Sequence, residues 1–217
     1  MQLFLSALSS PLVGTRQLEP QSLDTLSAAN ERGRYEGHSV RLVTDISSSK
    51  GYAVATINGK ATYVNWVQLW KNGPKFAEYN IGASSVSETG TMMTFTEATS
   101  AEYVWGANWC TPNKEDMEHL MTAAMGGTDE KVKCEYTQEN SVWGFKFTGL
   151  TDGYTGNSVF FPAQSGNSVN GSAFYWSATA YGSGAWLMCL DYHNGLWLSN
   201  WDSEGPDKCL VRLVLKN

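Results

Sequence analysis

A single segment of this chain carries the complete signature of a helix, and it sits among turn-rich sequence that suits only short strands. That segment is "TPNKEDMEHLMTAAMGG" (111–127). Thr111 or Asn113 supplies the N-cap oxygen, and Pro112 is tolerated beside a helix start because no intrahelical hydrogen bond is lost there. Glu115 and Asp116 suit the positive end of the helix dipole. Met117, Leu120, Met121 and Ala124 recur at helical spacing and form a stripe for the core rather than a cofactor box. Gly126-Gly127 ends the helix. One helix among many short strand candidates predicts an α+β fold.

The strand signals lie on both sides. "YAVATINGKATYVNW" (52–66) has β-rich arms around Asn58-Gly59, and a type I′ turn needs positive φ at both central positions. "VWGFKFTGL" and "NSVFFPA" follow the helix, separated by Gly, Asn, Asp and Ser. Twenty-one glycines and 12% aromatic residues fit such an arrangement of short strands joined by turns. Residues 1–33 have neither strict alternation nor a sustained helical period. A Val-Arg-Leu-Val run at 40–43 returns at 211–214, each copy shortly after a Glu-Gly. Residues 1–45 are therefore expected to be an N-terminal extension, a remnant or tail of a preceding related domain, and 46–217 a single domain.

Charge and composition exclude some functions. A net charge of −6 and a pI near 5.1 oppose nucleic-acid binding, which needs a basic face. No apolar run is long enough to span a bilayer. "MQLFLSAL" lacks a basic n-region and a clear cleavage site, so either an export signal has been removed or the protein is cytosolic. The four cysteines have no Cys-x-x-Cys spacing, which opposes a zinc site.

The stretch from Tyr175 to Val214 holds four of the nine tryptophans among Gly, Ser, Asn and Asp. Read as strands, "AWLMCL" (185–190) puts Trp186, Met188 and Leu190 on one side and Leu187 and Cys189 on the other. "GLWLSNW" (195–201) puts Trp197, Ser199 and Trp201 together. Both faces carry apolar residues, so alternation leaves open which is wet. Rings flanked by short polar side chains make a binding surface, because the rings give area at low entropic cost and the polar groups adapt their hydrogen bonds. The candidate ligand-binding residues are Tyr181, Ser183, Trp186, Leu187, Asp191, Tyr192, His193, Trp197, Trp201, Asp202, Glu204 and Asp207, with at least one tryptophan expected in the recognition surface.

"LWKNGPKFAEYNIGA" (69–83), "WGANWCTPNKEDMEHL" (105–120), "WGFKFTGLTDGYTGNSVFFPA" (143–163), "YWSATAYGSGAWLM" (175–188) and "LVRLV" (210–214) occur in that order. Together they resemble the Fibrobacter succinogenes major paralogous domain family, abundant in surface proteins of Bacteroidetes. That family is a branch of the C-type-lectin-like fold, shared with formylglycine-generating enzyme and the variable proteins of diversity-generating retroelements. The family has a basic residue where Cys110 stands and Thr where Asn113 stands, and "DSEGPDKCLVR" (202–212) replaces its usual closing loop. The resemblance implies pairing between the N- and C-terminal strands, and a face displayed by the last strands and loops. It also admits a Cys189–Cys209 disulfide, as C-type lectins often have there; free thiols are the other reading.

The sugar-binding C-type lectins hold calcium through Glu-Pro-Asn or Gln-Pro-Asp and Trp-Asn-Asp motifs, which this chain lacks. Asp202, Glu204 and Asp207 form an acidic loop that could take a hard cation, but a solvated loop is the preferred reading and no cofactor is expected. Cys–His catalysis would draw on His38, His119 or His193, and nothing orients a third group onto any pair. The expected function is non-catalytic recognition of a glycan or protein, on the cell surface or in secreted form. The alternatives are a structural module of a surface stalk or fimbria-like assembly and, further out, an oxidase like formylglycine-generating enzyme.

Overall fold

The computed structural model describes residues 48–100, 104–164, 170–201 and 207–216. The expected extension 1–45 and the first Val-Arg-Leu-Val run lie outside them. Mostly antiparallel sheet with two helices is found among the described residues, in keeping with an α+β reading.

The chain opens with β1 (Lys50–Ile57) and β2 (Lys60–Gln68), paired from Lys50–Val67 down to Ile57–Lys60. Asn58 and Gly59 have φ of 51° and 73°, the type I′ geometry expected of Asn-Gly. These strands join β3 (Lys75–Ala77), β4 (Trp109–Cys110) and β11 (Val214–Leu215) in a sheet ordered β1-β2-β3-β11-β4. The first and last strands thus share a sheet without pairing directly: β11 inserts between β3 and β4, with Val214 opposite Phe76 and Cys110. The expected terminal pairing is corrected accordingly. The β1–β2 register is fixed by its own tight turn, which leaves β3 as the edge that β11 meets.

Helix α1 (Phe95–Thr99) was not foreseen, although its capping box is in the sequence: Thr94 Oγ1 accepts from Glu97 N while the Glu97 carboxylate accepts from Thr94 N. Helix α2 (Lys114–Ala124) is the predicted one, and its N-cap is Asn113, bonded reciprocally with Asp116. Thr111 has another task, donating its hydroxyl proton to the Ala98 carbonyl. Met117, Leu120 and Met121 are buried as the stripe predicted.

Strands β5 (Val132–Glu139), β6 (Val142–Gly149) and β7 (Ser158–Pro162) form a meander. Strands β8 (Ser172–Tyr181), β9 (Gly184–Asp191) and β10 (Gly195–Trp201) form a second, ordered β10-β9-β8. This last sheet separates two apolar clusters. Ala173, Tyr175, Met188 and Leu190 join the one that contains α2, Phe147 and Phe161. Trp176, Ala185, Leu187 and Cys189 join the other, with Val64, Trp105 and Trp109. Burial on both faces explains the unbroken apolar run in β9, which alternation cannot resolve.

The segment Cys209–Leu215 stitches these parts together. Cys209 exchanges backbone hydrogen bonds with Met93, Leu210 bonds Phe174 and Trp176, Val211 accepts from Ile81, and Leu213 accepts from Ala77. Arg212 is fully buried within it. Its Nε donates to Asn80 Oδ1, Nη1 to the Ala77 and Glu78 carbonyls, and Nη2 to the Phe160 carbonyl. The guanidinium also lies 5.0 Å from the Phe161 ring centroid.

Candidate functional site

The predicted site divides along β9. Its eight residues hold the two hairpin turns about 23 Å apart, at ~3.3 Å of rise per residue. At one end stand Tyr181, Ser183 and Trp186. Tyr181 is exposed and packs edge-on against Trp186, with ring centroids 5.6 Å apart. Lys114, the first residue of α2, lies 4.3 Å from the Trp186 centroid, a cation–π contact. Its backbone N donates to Thr179 Oγ1, which ties the helix start to this hairpin.

At the other end stand Asp191, Tyr192 and His193. Asp191 Oδ1 accepts from His193 N, Asn194 N and Asn194 Nδ2 at 3.0, 2.8 and 2.9 Å. The carboxylate therefore locks the β9–β10 turn. Gly195, with φ of 82°, closes it in a conformation that favours glycine. Tyr192 is 50% exposed. Its ring lies 5.0 Å from Tyr136, which stacks on Trp143 at 5.2 Å and 13°. Gly171 fastens both tyrosines, since its N donates to Tyr136 Oη and its O accepts from Tyr192 N. Tyr136 and Trp143 are functional candidates that sequence reading missed. They lie on β5 and β6, and only the fold brings them to the β9–β10 turn.

Trp197, Ser199 and Trp201 share the opposite face of β10 from Leu196 and Leu198, as alternation predicts. They face the side of Leu187 and Cys189, whereas Trp186 faces the side of Met188. The tryptophans therefore do not share one face: β9 is largely covered on both sides, and the exposed aromatic side chains of this sheet and its turns are Tyr181 at the end of β8, Tyr192 on the β9–β10 turn and Trp197 on the edge strand β10. Trp197 is 36% exposed and Trp201 packs partly against the second cluster. Leu187 is fully buried and is removed as a ligand contact. Trp176 is also buried, with its Nε1 donating to the Met93 carbonyl.

Asp202 and Glu204 lie outside the described residues, and Asp207 is exposed just beyond them. Among the described residues no group of three or more His, Cys, Asp or Glu is arranged to hold a metal. His119 instead meets Glu130 at 3.3 Å and packs on Trp70.

All four cysteines are free thiols, so the Cys189–Cys209 disulfide is not formed. The reason is topological. Cys189 pairs with Phe174 across one edge of β8, while Leu210 bonds the other edge of the same strand. Two strand spacings of ~4.8 Å exceed the ~7 Å that a bridge tolerates between Cα atoms. Burial pushes the Cys134, Cys189 and Cys209 thiols up to about 12 and raises Cys110 as well. His193 is exposed on the turn while Cys189 is fully buried.

No helix among the described residues is long and apolar enough to cross a membrane. No family model, curated protein or solved structure matches the chain.

Proposed function

We propose that this protein is a non-catalytic ligand-recognition module on a C-type-lectin-like scaffold of the Fibrobacter succinogenes major paralogous domain type, exposed at the cell surface or secreted. One observation carries the reading. Around β9, largely buried on both faces, Tyr181, Tyr192 and Trp197 keep large exposed rings at the turns and the edge. Exposed rings on rigid hairpins offer contact area with little ordering cost on binding. The residues that carry the family resemblance, Tyr175, Trp176 and Arg212, are buried in the scaffold and leave these margins to vary.

The test is binding of the purified full chain to immobilised glycans and to cell-surface protein ectodomains, with and without a chelator. Saturable binding that is weakened by Tyr181→Ala, Tyr192→Ala or Trp197→Ala, in variants that still fold, supports recognition. Binding to neither set overturns it.

A second reading, a structural module of a surface assembly, is favoured by a different feature. Tyr52, Val54 and Tyr63 are exposed together on the outer face of the β1–β2 hairpin, with Tyr52 and Tyr63 in edge-to-face contact at 5.3 Å. Concentration-dependent sedimentation that Tyr63→Lys abolishes would favour this reading. An oxidase like formylglycine-generating enzyme would need an activated thiol, and burial moves all four thiols the other way.

A further inference from the structure

We infer that the β9–β10 turn end is a metal-independent stacking platform for a neutral sugar ring, with Tyr192 as the contact surface and Tyr136 and Trp143 as its backing. This rests on the recognition reading above and assigns it a place and a ligand chemistry.

The three rings form a contiguous column in which Trp143 stacks on Tyr136 and Tyr192 meets Tyr136 at a tilt of 53°, running from partly buried to half-exposed. A ring that merely fills a core would be covered at both ends. This column stops at solvent, and the backbone that carries its last ring is fixed by the Asp191 turn and by Gly171. A half-exposed aromatic ring on a locked turn suits a ligand that is flat, weakly apolar on one surface and rich in hydroxyls at its rim.

Hydrogen-bonding groups stand beside that face. His193 and Asn194 are exposed on the same turn, and His193 lies 5.1 Å from the Tyr192 centroid. Their imidazole and amide both donate and accept, as a hydroxyl does.

Charge decides between ligand classes. The turn Asp191–Gly195 contains no Lys or Arg, and its one carboxylate is engaged by the turn itself. The turn itself offers phosphate, sulfate or carboxylate ligands no Lys or Arg. The other end of β9 differs, because Lys114 lies over Trp186.

The experiment is a titration of the full chain against neutral and acidic glycans on an array, in buffer with calcium and in buffer with chelator, followed by variants. Neutral glycans should bind equally in both buffers. Tyr192→Ala and Tyr192→Leu should weaken binding about tenfold or more, as loss of a central aromatic anchor does, while Tyr192→Phe stays within about twofold. Tyr63→Ala, on the outer face of the β1–β2 hairpin, should leave affinity unchanged. Thermal melts establish that each variant folds, and the Phe form keeps a ring against Tyr136.

Glycan binding that survives Tyr192→Leu but is lost in Trp186→Ala or Trp197→Ala overturns the platform and leaves the recognition reading standing. The same holds for binding to protein ectodomains alone, or for glycan binding that the chelator abolishes. Binding to nothing on either surface overturns both.

Discussion

Arg212 Nε donates to Asn80 Oδ1 at 2.8 Å, joining residues 132 positions apart inside the core. Among the described residues no carboxylate hydrogen-bonds the guanidinium, although the Glu78 carboxylate is near enough to favour its charge. Its positive charge is met by one amide oxygen and three backbone carbonyls, and the Tyr175 hydroxyl, which accepts from Asn80 Nδ2 and donates to the Pro162 carbonyl, extends the same network. Burial holds the Arg212 pKa down at about 10, still above neutral pH, so the group stays charged. The network links β3, β7, β8 and the C-terminal segment through directional bonds.

Arg212→Met should therefore be strongly destabilising, by about 3 kcal/mol or more, because it leaves buried acceptors without donors. Arg212→Lys should recover only part of this, since an ammonium cannot reproduce the planar fork. Urea unfolding of the three proteins measures both. A loss below about 1 kcal/mol for Arg212→Met would show the network to be dispensable.

The tryptophans should separate into two groups. Trp176→Ala removes a fully enclosed indole and its bond to Met93, and should cost about 3–5 kcal/mol. Trp197→Ala removes a ring on an edge strand and should cost well under half of that, with an unchanged circular dichroism spectrum. Equal losses in denaturant titrations would place Trp197 in the core instead.

Stability should fall on the alkaline side. The Cys134, Cys189 and Cys209 thiols move from an ordinary 9.0 to about 12, and the Tyr175 phenol from 10.0 to about 12. Above pH 9 the unfolded chain releases these protons while the folded chain retains them, so their stabilising contribution is full below pH 9 and is lost towards pH 12. Arg212, whose pKa is lowered, works in the opposite direction above pH 10. Four groups against one give a net decline. Unfolding free energies at pH 7 to 11 should be level to about pH 9 and then drop, and Cys189→Ala should flatten the slope.

Thiol chemistry should follow burial. In native buffer, alkylation and intact mass should show Cys189 and Cys209 protected, with partly buried Cys110 and Cys134 reacting slowly. All four should react in denaturant without reductant. A mass two hydrogens short would reveal a disulfide.

Removal of the α2 cap should be modest. Asn113→Ala breaks the reciprocal pair with Asp116 and should cost about 1 kcal/mol, read from the melting temperature. Asn113→Ser, which also caps, should restore most of it.

The sequence by itself determined what local chemistry decides. Asn58-Gly59 dictated its turn, because positive φ at two successive positions is cheap for few residue pairs. Pro112, Asn113 and the Met117–Leu120–Met121 stripe dictated the start and the buried side of α2. Alternation sorted Trp186 from Leu187, and Trp197 from Leu198, correctly by side. The short α1 was equally legible in Thr94-x-x-Glu97 and was overlooked only because five residues carry no period.

Tertiary structure decided which sides are wet. That depends on what packs above and below a strand, and β9 is covered from both directions by elements far away in the chain. It also decided that β8 stands between Cys189 and Cys209, so nearness in a core does not become a bond. The column of Trp143, Tyr136 and Tyr192 exists for the same reason: its rings come from two strands of one sheet and a turn of another, and no local pattern records where those sheets meet.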